Sequence, residues 1–304
     1  MTPLLTHTVD AAPRSVDYML DQVLVGTSTG TILELKGVVS NPTAPEEVVQ
    51  IRSHGDGETW GLTMIREDGI WMYLTSGDDN KLLLHDIKLR KVVGDGVIQT
   101  VADIKSLPKK KKIGGASSQS SMQPHQQSRA LAYNFHLNHL AVGHNDGAVS
   151  IRQVEGIEEA ASGDANVKLD NIQHVIKDPK EWIEVIEYNS DGTKLAIGSH
   201  DNWIYVYNTT ANCKYKRAAV LKGHSSYITA VDWSLDSSYL RSTCGAYELL
   251  FWSPDSKKQD PSGASNTVGT DWMNHSCKFG WRVDGIYPPG TDGTHVNRVE
   301  MSPD

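Results

Sequence analysis

Cysteine and phenylalanine are scarce, with three of each in 304 residues, and aromatic residues make up only 7% of the chain. Cys213, Cys244 and Cys277 are an odd set with no Cys-x-x-Cys pair, which excludes a disulfide framework and a zinc knuckle and suits a reducing compartment. Positive charge is also in deficit: 29 Lys and Arg stand against 37 Asp and Glu, a net charge of −8. Such a balance disfavours broad binding to nucleic-acid phosphates. No run of some 18 uncharged apolar residues occurs, and the amino terminus lacks a basic segment leading into an apolar stretch. The expectation is an intracellular chain without a membrane anchor, working in the cytoplasm. A Walker A run and a Gly-x-Ser-x-Gly elbow are missing, and no dinucleotide fingerprint opens a helix. No catalytic residue, cofactor, metal or small-molecule substrate is therefore assigned.

What is present is a repeat. Five segments follow one pattern of small residue, polar turn and alternating apolar strand: GTSTGTILEL from Gly26, SGDDNKLLLHDI from Ser76, GHNDGAVSIRQV from Gly143, GSHDNWIYVYNT from Gly198 and CGAYELLFWS from Cys244. Their glycines, Gly26, Gly77, Gly143, Gly198 and Gly245, are spaced by 51, 66, 55 and 47 residues. A four-stranded propeller blade takes about 40 to 45 residues, and the longest interval carries an insert. In NWIYVYN, period-two alternation sends Trp203, Tyr205 and Tyr207 one way and Ile204 and Val206 the other, so both faces are apolar. A sheet that is apolar on both sides belongs between two others. Helical periodicity is weak and confined to Gly156–Ala165. The predicted fold is all-β: a propeller of five blade-like units and a partial sixth from Asp271, an incomplete ring or a fragment of a tandem propeller. The expected division is an amino-terminal segment over 1–17 and the partial propeller over 18–304, with a Lys/Ser/Gln-rich loop at 105–128.

KGHSSYITAVDWSLDSSYLRSTCGAYELLFWS, Lys222 to Ser253, has the Gly-His to Trp layout of a WD40 repeat, opened by Gly223 and His224 and closed by Trp252. With HGDGETWGL from His54, KLAIGSHDNWIYVYN from Lys194 and DWMNHSCKFGWRVDGIYPPGTDGTHVN from Asp271, the chain resembles the second propeller of the echinoderm microtubule-associated protein-like family. The resemblance runs from about Val23 to Asn297. It implies a non-catalytic microtubule-associated WD-repeat protein that binds tubulin or microtubule-bound proteins at the cytoskeleton, including a ciliary axoneme. The alternative is a general WD40 scaffold holding a peptide of a non-tubulin partner, because a fold does not fix a function.

The resemblance also gives His224 a structural task, hydrogen bonding within its blade, and His54 a similar one. Asp79, Asp146 and Asp201 fall at equivalent turn positions and lack the spacing of a calcium loop, so they read as turn residues. In the fifth turn Ala246 stands where the family places Asp. Loss of that acceptor is expected to loosen the blade by about 1 kcal/mol. His136, His139 and His144 cluster in sequence, but strand geometry sends His136 and His139 to opposite faces, against a metal cage. Lys109, Lys110, Lys111 and Lys112 in the insert have two readings, an electrostatic hook for an acidic partner such as tubulin's tails or a solvated insertion. Trp60, Trp182 and Tyr227 open inner strands, where loops meet partners. Core packing competes as their use, and Tyr227 ranks first and Trp182 second as partner-binding residues.

Overall fold

A computed structural model describes residues 13–19, 22–27, 32–41, 45–51, 54, 58–67, 69–98, 127–161 and 167–279. Lys109–Lys112, nearly all of the 105–128 insert and the tail beyond Phe279 lie outside the described residues. The described chain is all-β and falls into two compact units.

The first unit holds two sheets. One is the meander β1 (Pro13–Met19), β2 (Gln22–Thr27), β3 (Ile32–Lys36) and β4 (Glu46–Ile51). Its first strand takes in residues 13–17, which the sequence had set apart as an amino-terminal segment. The other is β5 (Thr59–Glu67), β6 (Ile70–Gly77), β7 (Lys81–Asp86) and β8 (Lys91–Val97), extended at its outer edge by the two-residue β12 (Val167–Lys168), which pairs in parallel with β8.

The second unit has three four-stranded antiparallel sheets. They are β9 (Ala130–Asn134), β10 (His139–Gly143), β11 (Val149–Gln153) and β13 (Ile172–Ile176); β14 (Ile183–Tyr188), β15 (Lys194–Ser199), β16 (Trp203–Asn208) and β17 (Lys216–Lys222); and β18 (Ile228–Trp233), β19 (Leu240–Cys244), β20 (Leu249–Ser253) and β21 (Lys258–Gln259). The weak helical pattern becomes one short helix, Ile157–Ala161. No helix among the described residues is long and apolar enough to cross a membrane.

Every one of the five repeated segments forms the middle hairpin of a sheet. Three of the turns share a cause. Asp79, Asp146 and Asp201 each accept the backbone N–H two residues on, from Lys81, Ala148 and Trp203, so the side chain stands in for a backbone turn partner. The next residue then takes a left-handed conformation: Asn80 at φ 62°, Gly147 at 84°, Asn202 at 71°. The fifth turn follows the same path with Tyr247 at φ 63°.

The alternation in NWIYVYN divides the fourth sheet between two cores. Tyr205 and Tyr207 pack with Ile183, Ile186 and Ile197 against the third sheet's Ala132, Ala141 and Ile151. Ile204 and Val206 pack on the other face with Val231, Trp233 and Trp252 of the fifth. Two of the repeated glycines, Gly143 and Gly198, sit at these seams. A Cβ on Gly143 would lie 2.6 Å from Cγ2 of Ile183, and one on Gly198 would lie 2.6 Å from Cγ2 of Ile228. In each case the isoleucine opens the next sheet's first strand, so the space a side chain would use is already filled.

The described part of the predicted sixth unit is not a separate strand. Asp271–Ser276 runs antiparallel along β18: Leu235 N donates to Asp271 O, Met273 N to Trp233 O, and Ser276 Oγ to Val231 O. Below it Arg241 grips the fully buried Asp232 through Nε at 3.0 Å and Nη2 at 2.7 Å, with the Trp272 ring over the guanidinium.

Candidate functional site

Trp182 immediately precedes β14 and Tyr227 immediately precedes β18, so they occupy the same position in successive sheets of the second unit. His200, at the tip of the β15–β16 hairpin, comes between them. Its ring centroid is 5.9 Å from that of Trp182 and 4.7 Å from that of Tyr227. Arg129, just ahead of β9, lays its guanidinium 4.3 Å over the Trp182 ring. Guanidinium, indole, imidazole and phenol thus form one row across three sheets. Glu184 ties it together, bonding His200 Nε2 at 3.0 Å and lying 3.6 Å from Arg129 Nη1.

Tyr227 is 43% exposed, so the ring is a surface group seated on the fold and not core. Its seat is Gly245, where any Cβ would lie 2.5 Å from Cε1 of Tyr227. A row of flat rings held at fixed spacing can stack on a partner's planar or cationic groups at small entropic cost, since its members are already ordered. Trp60 belongs to the first unit and is 38% exposed, with its indole N–H donated to Asp78 Oδ1 at 2.9 Å. Lys109–Lys112 lie outside the described residues.

Gly223, His224 and Trp252 meet inside the fifth sheet. Trp252 Nε1 donates to Ser242 Oγ at 2.8 Å, and the same hydroxyl bonds His224 Nε2 at 2.6 Å. The indole edge lies where a side chain on Gly223 would stand, 2.9 Å from an ideal Cβ. The acceptor missing at Ala246 has a substitute in the fold. Glu248, two residues further on, supplies the carboxylate: its Oε2 bonds His224 Nδ1 at 3.2 Å and accepts Ser225 N at 2.9 Å, and its Oε1 accepts Ser225 Oγ at 2.7 Å. The Ser225 donors hold the Glu248 carboxyl down at about 2. Burial lowers His224, and Glu248 pulls the other way. The second sheet has the parallel arrangement with His54: Nδ1 to Asp79 Oδ1 at 2.6 Å, Nε2 to Thr75 Oγ1 at 3.0 Å, and His85 in the position held elsewhere by tryptophan, 3.1 Å from Thr75.

Asp79, Asp146 and Asp201 each serve their own turn. The three clustered histidines also separate, His136 toward Ser190 O, His139 toward Tyr215, and His144 toward Ser150. A thiol–imidazole pair does form, Cys213 Sγ to His139 Nε2 at 3.1 Å, but both residues are buried. Burial raises the thiol and lowers the imidazole, so both stay neutral and the pair works as packing. Sequence reasoning passed over Arg129, Glu184, His200 and Glu248. For Glu248 a signal existed, since an acid just before β20 lies across the hairpin from Cys244, close enough to replace one lost at 246.

Residues 59–304 match the family model described as the echinoderm microtubule-associated protein second beta-propeller. The chain is 43% identical over 290 residues to the "Ciliary WD repeat-containing protein ctxp80" of Euplotoides octocarinatus, covering 95% of this chain and 36% of that protein. It is 30% identical over 280 residues to the human "Echinoderm microtubule-associated protein-like 1", covering 92% of this chain and 28% of that one. Against the "Echinoderm microtubule-associated protein-like 4" of Xenopus tropicalis it is 42% identical over 126 residues, 41% of this chain and 14% of the relative. The chain thus spans about a third of the length of the relatives it matches most fully. With five sheets among the described residues, each built on an antiparallel meander around the repeated hairpin, and a family match over four fifths of its residues, the chain belongs to the echinoderm microtubule-associated protein-like family of WD-repeat β-propellers.

Proposed function

We propose that this chain is a non-catalytic, microtubule-associated WD-repeat protein that docks on tubulin or on proteins bound to microtubules, in the cytoplasmic cytoskeleton and the ciliary axoneme. The observation that carries this reading is the 43% identity, over 95% of the chain, to a protein named for the cilium, joined to the match with a microtubule-associated family. The row Arg129–Trp182–His200–Tyr227 is the docking surface in this proposal. A chain of net charge −8 gains no long-range attraction to an acidic polymer, so the attachment rests on local contacts of arginine and aromatic rings. Lys109–Lys112 are a second, electrostatic contact in the same proposal, one that salt weakens.

Co-sedimentation with taxol-stabilised microtubules at graded salt tests it. The chain pellets at low salt and keeps part of its binding as salt rises, because ring stacking is screened little. Absence from the pellet at low salt overturns the reading. One observation favours the second reading, a scaffold that holds a peptide of a non-tubulin partner: Arg129 already faces Glu184, which leaves the row little net charge for an acidic lattice. That reading predicts no pelleting with purified microtubules and pelleting when a cytoskeletal extract is added.

A further inference from the structure

The hydrogen-bonded lock of the second sheet needs three groups, an imidazole, a hydroxyl and a carboxylate, and where the fifth sheet has Cys244 it has Gly77. The fifth sheet adds a sulfur to the lock, where Cys244 Sγ–H donates to the Glu248 carboxylate and Sγ accepts Ala246 N at 3.4 Å. Cys244 Sγ lies 3.1 Å from Glu248 Oε2, and that same oxygen is 3.2 Å from His224 Nδ1. One donor atom from each of the three residues falls within 4.8 Å of the others. We propose that His224 Nδ1, Cys244 Sγ and Glu248 Oε2 form a binding site for one zinc ion, with the fourth position open to water.

The donor set is zinc's own, since nitrogen, thiolate and carboxylate bind it at about 2.0 to 2.3 Å, whereas calcium and magnesium take oxygen. Ligands at those bond lengths around a tetrahedral ion lie roughly 3.3 to 3.5 Å from one another, so the observed separations of 3.1 and 3.2 Å differ from that geometry by a few tenths of an ångström. Outer contacts already aim the ligands. Ser242 Oγ, 2.6 Å from Nε2, accepts its N–H in the tautomer that ligates the ion, once Nδ1 gives up its hydrogen bond to Glu248, while Ser225 N and Oγ fix the carboxylate. The ion enters past Glu248, whose side chain is 34% exposed beside two buried partners. On binding, the Cys244 thiol proton leaves to solvent and the imidazole ligates as the neutral ring. Thiolate and carboxylate then balance the two positive charges, so a half-buried site carries no net charge.

The test is titration of the reduced 304-residue chain with cobalt(II), a spectroscopic substitute for zinc, followed by zinc. One equivalent of cobalt gives a thiolate-to-cobalt charge-transfer band that one equivalent of zinc abolishes. The band survives Cys213→Ser, disappears in Cys244→Ser, and forms at least tenfold more weakly in Glu248→Gln, which keeps the shape of the side chain. No band in the unaltered chain, a band that persists in Cys244→Ser, or an unchanged cobalt affinity in Glu248→Gln overturns the site.

Discussion

Replacing Gly198 with alanine puts one methyl group into the seam between the fourth and fifth sheets. That methyl would lie 2.6 Å from Cγ2 of Ile228 and 2.6 Å from Cγ1 of Val185, well inside van der Waals contact. Ile228 is fully buried, at the first position of β18, and cannot swing out to solvent. Overpacking of this kind costs about 1 to 3 kcal/mol. Ile228→Ala alone leaves a cavity and costs about 2 to 5 kcal/mol. If these two residues compete for one space, Gly198→Ala in the Ile228→Ala background costs less, because Cγ2 is gone and the new methyl fills part of the void. The double variant should then be more stable than the sum of the single effects by at least about 1 kcal/mol. Urea unfolding followed by tryptophan fluorescence reads this, since Trp233 and Trp252 are buried in the same core. Strict additivity would refute the idea that glycine stands at 198 to admit Ile228 of the next sheet.

Acid should loosen both units through buried neutral histidines. Burial and Arg152 hold His144 at about 3, and burial and His54 hold His85 at about 4, both below the usual 6.5. The stability they confer is complete above pH 6.5 and drains as pH falls toward those values; at pH 5 each has lost on the order of 2 kcal/mol. Urea midpoints at pH 7 and pH 5 check this, and equal midpoints contradict it. Tyr247 is 56% exposed and left-handed, so Tyr247→Asn should stabilise the fifth sheet by about 1 kcal/mol, while a loss would show that its edge-on contact with Phe279 matters more. Asp232→Ala strands the buried Arg241 and should cost about 3 to 5 kcal/mol by denaturant unfolding; a cost below about 1 kcal/mol would mean that the cluster under Trp272 is solvated.

The hairpins were legible in the sequence because their signals are local. An Asp that bonds two residues on, followed by Asn or Gly in a left-handed turn, needs nothing beyond its own segment, and period two then assigns Tyr205 and Ile204 to opposite cores. The row was legible only in part. Trp182 and Tyr227 stand out beside inner strands, but Arg129, Glu184 and His200 join them across sheets, through contacts between residues as much as 55 apart, such as Arg129 with Glu184. The fifth turn misled for a related reason. The missing Asp at 246 is a local fact, whereas the carboxylate of Glu248 reaches His224 only once β18 and β20 are folded into the same sheet.

The most direct measurement is microtubule co-sedimentation of the Trp182→Ala/Tyr227→Ala double variant beside the unaltered chain, with urea midpoints matched to show equal folding. Two interface aromatics worth more than 1 kcal/mol each correspond to at least about thirtyfold weaker binding, and that loss is the predicted result. Equal pelleting of the two proteins would contradict the placement of the docking surface on this row.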